Sequence, residues 1–272
     1  LAALIADDSG RIDLSTGEHR QNGAFAGGYY RGPSFVFCHC YRDKLSSLLQ
    51  LTHEIGHAIQ RDVWFSNKLA YHQTRLEPGY LTEAYALVNE FLLLHHLQKT
   101  TQGTLQQYYA QAYSKKLYDF FRLALVASRE WELYSLVEKN IITNAKELDD
   151  FTLKHDSHFS IWPERHQEEG QSWMEIDHYF SLPLYSQNYF LAHLIALSLF
   201  EKLRQEDDFA AQYIKLLEND FNDEPAKLLN KFCGVDIFGE TLLQRLLTLL
   251  SPHTKENPCT PSEKQRNTIS TQ

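Results

Sequence analysis

The chain reads as a mainly α fold with a small β-sheet at its N-terminal end. Three observations predict this. Six of the twelve glycines lie in the first 32 residues, where they separate short stretches rich in β formers. From residue 43 onward apolar residues recur at helical spacing. No proline falls between Pro33 and Pro78, so nothing breaks that first helical pattern.

The elements follow in order. Residues 11–14, 24–26 and 34–38 are expected strands, each bounded by turn residues. Leu45, Leu48, Leu49, Leu51, Ile55, Ala58 and Ile59 mark the first helix. A second helix is expected from an N-cap at Thr82 to Leu97, with Leu87, Phe91 and Leu94 facing inward. Further helices are expected over 104–128, 130–140, 145–155, 189–204, 207–218 and 238–250. Residues 251–272 are rich in Pro, Thr and Ser and read as a disordered tail. The expectation is one domain over 1–250, its sheet within 1–42 and its remainder helical, with the tail at 251–272. The chain shows no internal repeat.

Composition narrows the function. Of 272 residues 43% are hydrophobic and 22% charged, which suits a globular core. The balance of 26 basic against 35 acidic residues, net −9, argues against nucleic acid and against an anionic membrane surface. The apolar run 191–200 carries His193 and is far shorter than the roughly 20 residues of a bilayer span. No secretory signal pattern is visible, and the absence of an initiator Met suggests a processed product or a fragment. Cys38, Cys40, Cys233 and Cys259 lack the spacing of a zinc knuckle and read as reduced thiols, so a cytoplasmic location is expected.

One motif carries chemistry. His53-Glu54-Ile55-Gly56-His57 is an H-E-x-x-H pattern inside the first expected helix. Residues i and i+4 share a helical face, so both imidazoles can reach one zinc ion. Glu54 projects beside them and can act as general base toward a zinc-activated water. Three protein ligands leave the metal an open position, so a third ligand is needed. Two carboxylates compete for it. Glu77 lies twenty residues after His57, next to Pro78-Gly79 and so in an expected turn. Glu83 lies twenty-six residues after His57 on the second helix, where regular backbone holds it rigidly, and it is preferred.

These segments meet a known family. His53 to Gln60, followed by Thr82 to Glu90, resembles the zinc oligopeptidases of the thimet oligopeptidase and oligoendopeptidase F type, in their C-terminal catalytic portion. The resemblance extends from Gly10-Arg11-Ile12-Asp13 through Trp131-Glu132 to Gly234-Val235-Asp236-Ile237. It implies a zincin-like helical catalytic domain that holds one zinc ion on His53, His57 and Glu83, with Glu54 as general base. It implies Glu90 as the acidic support of a ligating His. The segment 177–189 looks like the family's His-and-tyrosine substrate segment. There Tyr185 and Tyr189 are four apart, and they and His178 are candidates to stabilise the oxyanion of peptide hydrolysis.

The resulting expectation is a zinc metalloendopeptidase acting on internal bonds of short peptides. The strand at residues 35–38 would pair with extended substrate. Two alternatives stay open. One is a carboxypeptidase of related fold, for which Arg75 or Arg165 could hold the substrate's terminal carboxylate. The other is a fragment or non-catalytic peptide-binding domain, because full-length members of the family carry a largely helical upstream portion that forms the opposite cleft wall. An N-terminal half or a second subunit is therefore a candidate partner.

Overall fold

The glycine-punctuated front of the chain folds into β1 (Ile12–Asp13), β2 (Ala24–Gly28) and β3 (Ser34–Cys38). The computed structural model describes residues 4, 10–20, 23–28, 32–39, 41–67, 79–219, 223–239, 242–244 and 247–248. β3 is the central strand, parallel to β1 and antiparallel to β2. Its alternation puts Ser34, Val36 and Cys38 on the buried face. There Val36 packs with Ala58, Leu51 and Ile55 of helix α1 (Leu45–Ser66). Asp62 of α1 ties helix to sheet. It accepts from Arg11 Nη2 at 2.7 Å, from the Ser34 backbone N–H at 2.9 Å and from Ser34 Oγ at 2.8 Å.

Helix α2 (Gly79–Thr100) is apolar on most of its circumference, which places it at the centre of the helical body. Leu81, Ala84, Phe91 and Leu94 are fully buried among α3 (Gly103–Glu138) and α7 (Ser186–Gln205), with Phe91 stacked on Phe200 at 5.5 Å. α8 (Phe209–Leu217) and α9 (Pro225–Cys233) close this core. A second, smaller cluster joins the far half of α3 to α4 (Ala145–Asp156) and to a 3₁₀ helix (Gln167–Glu175). The short helix α5 (Trp162–Arg165) precedes the 3₁₀ helix and the short helix α6 (His178–Ser181) follows it.

The mainly α architecture with a small sheet matches the expectation, and four details differ. The second helix begins at Gly79, so Thr82 lies inside its first turn and is not the cap. The helices expected at 104–128 and 130–140 are one helix, α3, because Arg129 and Glu130 point inward and are satisfied there. β3 has a partner on each edge, so it has no free edge for substrate; β2 is the outer strand next to α1. α5, the 3₁₀ helix, α6 and α9 were not anticipated as elements. Of the expected helix 238–250, residues 242–244 and 247–248 are described as helical. Glu77, Arg75, Cys40, Cys259 and the expected tail lie outside the described residues. Cys38 and Cys233 are buried reduced thiols. Among the described residues no helix is long and apolar enough to cross a membrane.

Candidate metal centre and catalytic site

α1 and α2 run antiparallel, because His53 meets Glu90 while His57 meets Glu83. Gly56 makes their close approach possible. A Cβ there would fall 2.7 Å from the Ala86 Cα and 2.8 Å from Asn89 Nδ2. Across this seam three donor atoms converge. His53 Nε2 lies 3.2 Å from Glu83 Oε2 and 3.2 Å from His57 Nε2, and the His57–Glu83 separation is 3.9 Å.

The donor set fits a zinc ion. Zn–N and Zn–O bonds of about 2.0–2.1 Å at tetrahedral angles separate ligand atoms by about 3.3 Å. Among the described residues, His53, His57 and Glu83 form the one cluster of at least three such side chains able to hold a metal. Their support is also in place. His53 Nδ1 donates to Glu90 Oε1 at 2.9 Å, which leaves Nε2 facing the other donors. Lys116 of α3 pairs with the second Glu90 oxygen at 2.8 Å.

The electrostatics suit a cation. Burial opposes charge on His53, but the hydrogen bonds it donates to Glu83 and Glu90 outweigh it and raise its pKa to about 9. Burial and the neighbouring His53 charge push His57 down to about 4. Glu54 is buried beside the pair; burial raises its pKa, against the opposing effects of His53 and the Ala26 backbone N–H on β2. The outer strand of the sheet therefore runs past Glu54.

The His-and-tyrosine segment arrives from the other side. Tyr185 is the residue before α7 and Tyr189 lies in its first turn, with ring centroids 5.3 Å apart in an edge-to-face pair. His178 of α6 stacks on Tyr185 at 5.1 Å and meets Tyr189 edge-on at 5.5 Å. A Cβ on Gly79, the first residue of α2, would lie 3.3 Å from the Tyr185 hydroxyl. Burial, then the Glu83 charge, raises the pKa of both tyrosines. Each phenol is thus held protonated, able to donate, close to the Glu83 carboxylate. On another flank, a cleft of about 1240 Å³ opens between α1 and α3, with His53 and Glu54 in its wall together with Tyr41, Leu45 and Tyr109.

Of the site residues expected from sequence, Glu77 and Arg75 lie outside the described residues, Arg165 stands apart, and His53, Glu54, His57, Glu83, Glu90, His178, Tyr185 and Tyr189 come together. Two were missed. Lys116 completes the Glu90 pair. Glu130 is fully buried and accepts from the backbone N–H groups of Leu184 at 2.6 Å and Ser186 at 3.3 Å, on either side of Tyr185. The nearby Trp131-Glu132 pair of the resemblance points outward, with Trp131 63% exposed. The available signal was helical spacing: Val126, Glu130 and Leu133 share a stripe in which a carboxylate interrupts apolar residues. Arg165 is exposed at the end of α5. His193 is a core residue against Phe91, its pKa lowered to about 3 by burial.

The profile of peptidase family M3 matches residues 7–247, and the chain belongs to that family. Solved structures agree on the fold. A Chlamydophila abortus chain, provisionally named a peptidase, superposes with a TM-score of 0.72 at 21% identity, over 94% of this chain and 42% of that one. PZ peptidase A bound to an inhibitor gives 0.68 at 17% identity, over 92% and 44%. Oligoendopeptidase F from Enterococcus faecium gives 0.61 at 22% identity, over 78% and 38%. The chain thus spans about two fifths of the length of these structures. No curated protein sequence matches it.

Proposed function

We propose that this chain is the zinc-binding catalytic part of a metalloendopeptidase that hydrolyses internal bonds of short peptides. The observation that carries the reading is the convergence of His53, His57 and Glu83 donors at 3.2–3.9 Å with Glu54 beside them. One zinc ion held there supplies Lewis acidity toward water and the scissile carbonyl. Glu54 takes a proton from the attacking water and delivers it to the departing amine nitrogen as the C–N bond breaks. Tyr185 or Tyr189, with His178, donates a hydrogen bond to the oxygen that becomes negative as the carbonyl turns tetrahedral. Glu90 keeps His53 in the tautomer that presents Nε2. The edge strand β2, in place of the central β3, is the strand offered to extended substrate.

The reducing-thiol pattern supports a cytoplasmic setting. The chain's two-fifths coverage of its structural relatives supports a second wall supplied by upstream sequence or another subunit.

The test measures bound zinc and cleavage of a quenched fluorescent peptide of about ten residues, with and without chelator. Expected is one equivalent of zinc and chelator-sensitive internal cleavage, with E54Q retaining zinc and losing turnover. Absence of zinc, or turnover retained in E54Q, overturns the reading.

A further inference from the structure

Helix α3 carries two adjacent charges, Arg129 and Glu130, at positions only 2% and 0% exposed. Burying charge inside a helical body is unfavourable unless each group is fully engaged. Their neighbours on the same faces, Val126 and Leu133, show that apolar side chains fit this interior. Both charges instead bind the ends of the segment that runs from His178 to Tyr189.

Arg129 binds the entry. Its Nε donates to the Tyr179 hydroxyl at 3.2 Å, and Nη1 donates to Asp156 at 2.6 Å and Ser172 at 2.9 Å. Tyr179 in turn donates to the Val126 carbonyl at 2.9 Å, and its own carbonyl accepts from the Tyr134 hydroxyl at 2.8 Å. His178 is the residue before this anchored tyrosine.

Glu130 binds the exit. Its two oxygens take the N–H groups of Leu184 and Ser186, and Tyr185 lies between them. Ser186 opens α7, where the first amides lack helical partners and a carboxylate is favoured by the helix dipole. Leu184 has φ +64°, a left-handed conformation that a bulky side chain rarely adopts. Its N–H makes the shorter of the two hydrogen bonds to Glu130, at this same residue. This bend turns the chain from α6 into α7 and stacks Tyr185 on His178 beside Glu83.

We propose that Glu130, seconded by Arg129, is a positioning residue that fixes the Tyr185 hydroxyl and the His178 ring over the metal donors. The proposal rests on the peptidase reading for its kinetic consequence, and on geometry alone for its conformational one.

The experiment compares wild type, E130Q, Y185F and the double variant, each zinc-loaded. Three quantities are measured: zinc affinity by chelator competition, amide exchange of peptides covering 182–189, and kcat and KM on the fluorescent peptide. In E130Q zinc affinity should stay within about twofold, because Glu130 does not touch the donors. Exchange in 182–189 should quicken by about tenfold or more while α2 is unchanged. The kcat should fall by about 100-fold with KM little altered, the scale of a misplaced donor, and Y185F should add nothing to E130Q. If E130Q does not fold, E130D serves, since it keeps the buried charge and draws the carboxylate back by one methylene from the Leu184 and Ser186 amides. It should show the same faster exchange and lower kcat. Unchanged exchange in 182–189 overturns the proposal, as do independent, multiplying effects of E130Q and Y185F. A wild type that binds zinc and cleaves nothing counts against the peptidase reading, and the exchange comparison still decides the positioning role.

Discussion

Gly56 lies so close to Ala86 that a Cβ on the first would sit 2.7 Å from the Cα of the second. The second of the two free positions of the H-E-x-x-H pattern is thus the contact point of the two helices that carry the candidate metal donors. Backbone on the Ala86 side cannot yield, and Asn89 Nδ2, 2.8 Å away, is committed to the Tyr85 carbonyl. G56A must therefore push the helices apart. A loss of about 1–3 kcal/mol in urea unfolding is expected, the usual scale of overpacking. Zinc affinity should fall with it, because donors sit on both helices. Wild-type values for both would contradict this account of the seam.

Glu90 links two charges, accepting from His53 Nδ1 and pairing with Lys116. E90Q removes the carboxylate that orients the imidazole. A reduction of about 10–100-fold in zinc affinity is expected, measured against a chromophoric chelator. K116M should give a smaller effect in the same direction, since it leaves the His53 contact in place.

Asp62 predicts an acid response. Burial works to raise its pKa, but the hydrogen bonds from Arg11 and Ser34 prevail and hold it below its ordinary 3.8. A carboxylate depressed on folding contributes stability that is complete above its unfolded pKa and is lost as pH falls through the folded value. D62N should cost about 1 kcal/mol near neutral pH, modest because the pair is partly open to water. The gap between wild type and variant should narrow below pH 3.8. Denaturant titrations at several pH values check this; a gap that widens on acidification refutes it.

Gly234 ends α9 at φ +60°, its N–H bonding the Asn230 carbonyl at 2.8 Å and the Val235 N–H bonding the Leu229 carbonyl at 3.3 Å. This is a left-handed helix stop that favours glycine. G234A should lower stability by about 1 kcal/mol with zinc affinity unchanged. The variant thereby separates global stability from site integrity.

Much of the site was legible because its residues obey local periodicity. His53 and His57 share a face at i and i+4, and Glu83 and Glu90 recur one heptad apart on the next helix. The start of that helix was misplaced by three residues, since Thr82 resembles a cap and nothing local reveals that Gly79 to Leu81 are already helical. Arg129-Glu130 suggested a break in α3 for a related reason. A charge pair in an apolar stripe reads as surface until its partners are known, and those lie as far as 56 residues away. The role given to β3 failed because alternation specifies which face of a strand is buried and says nothing of which strand is the edge.

The sequence by itself determined the helical body, the shared helical face of His53 and His57 with Glu54 beside them, and the family to which the chain belongs. The tertiary structure decided the rest: that β3 is the central strand and β2 an edge next to α1, that Gly56 sets the helix spacing, and that Glu130 grips the tyrosine segment. Residues three or four apart on one helix meet through the geometry of a single backbone. Groups on separate elements meet only through packing, which is a property of the whole chain.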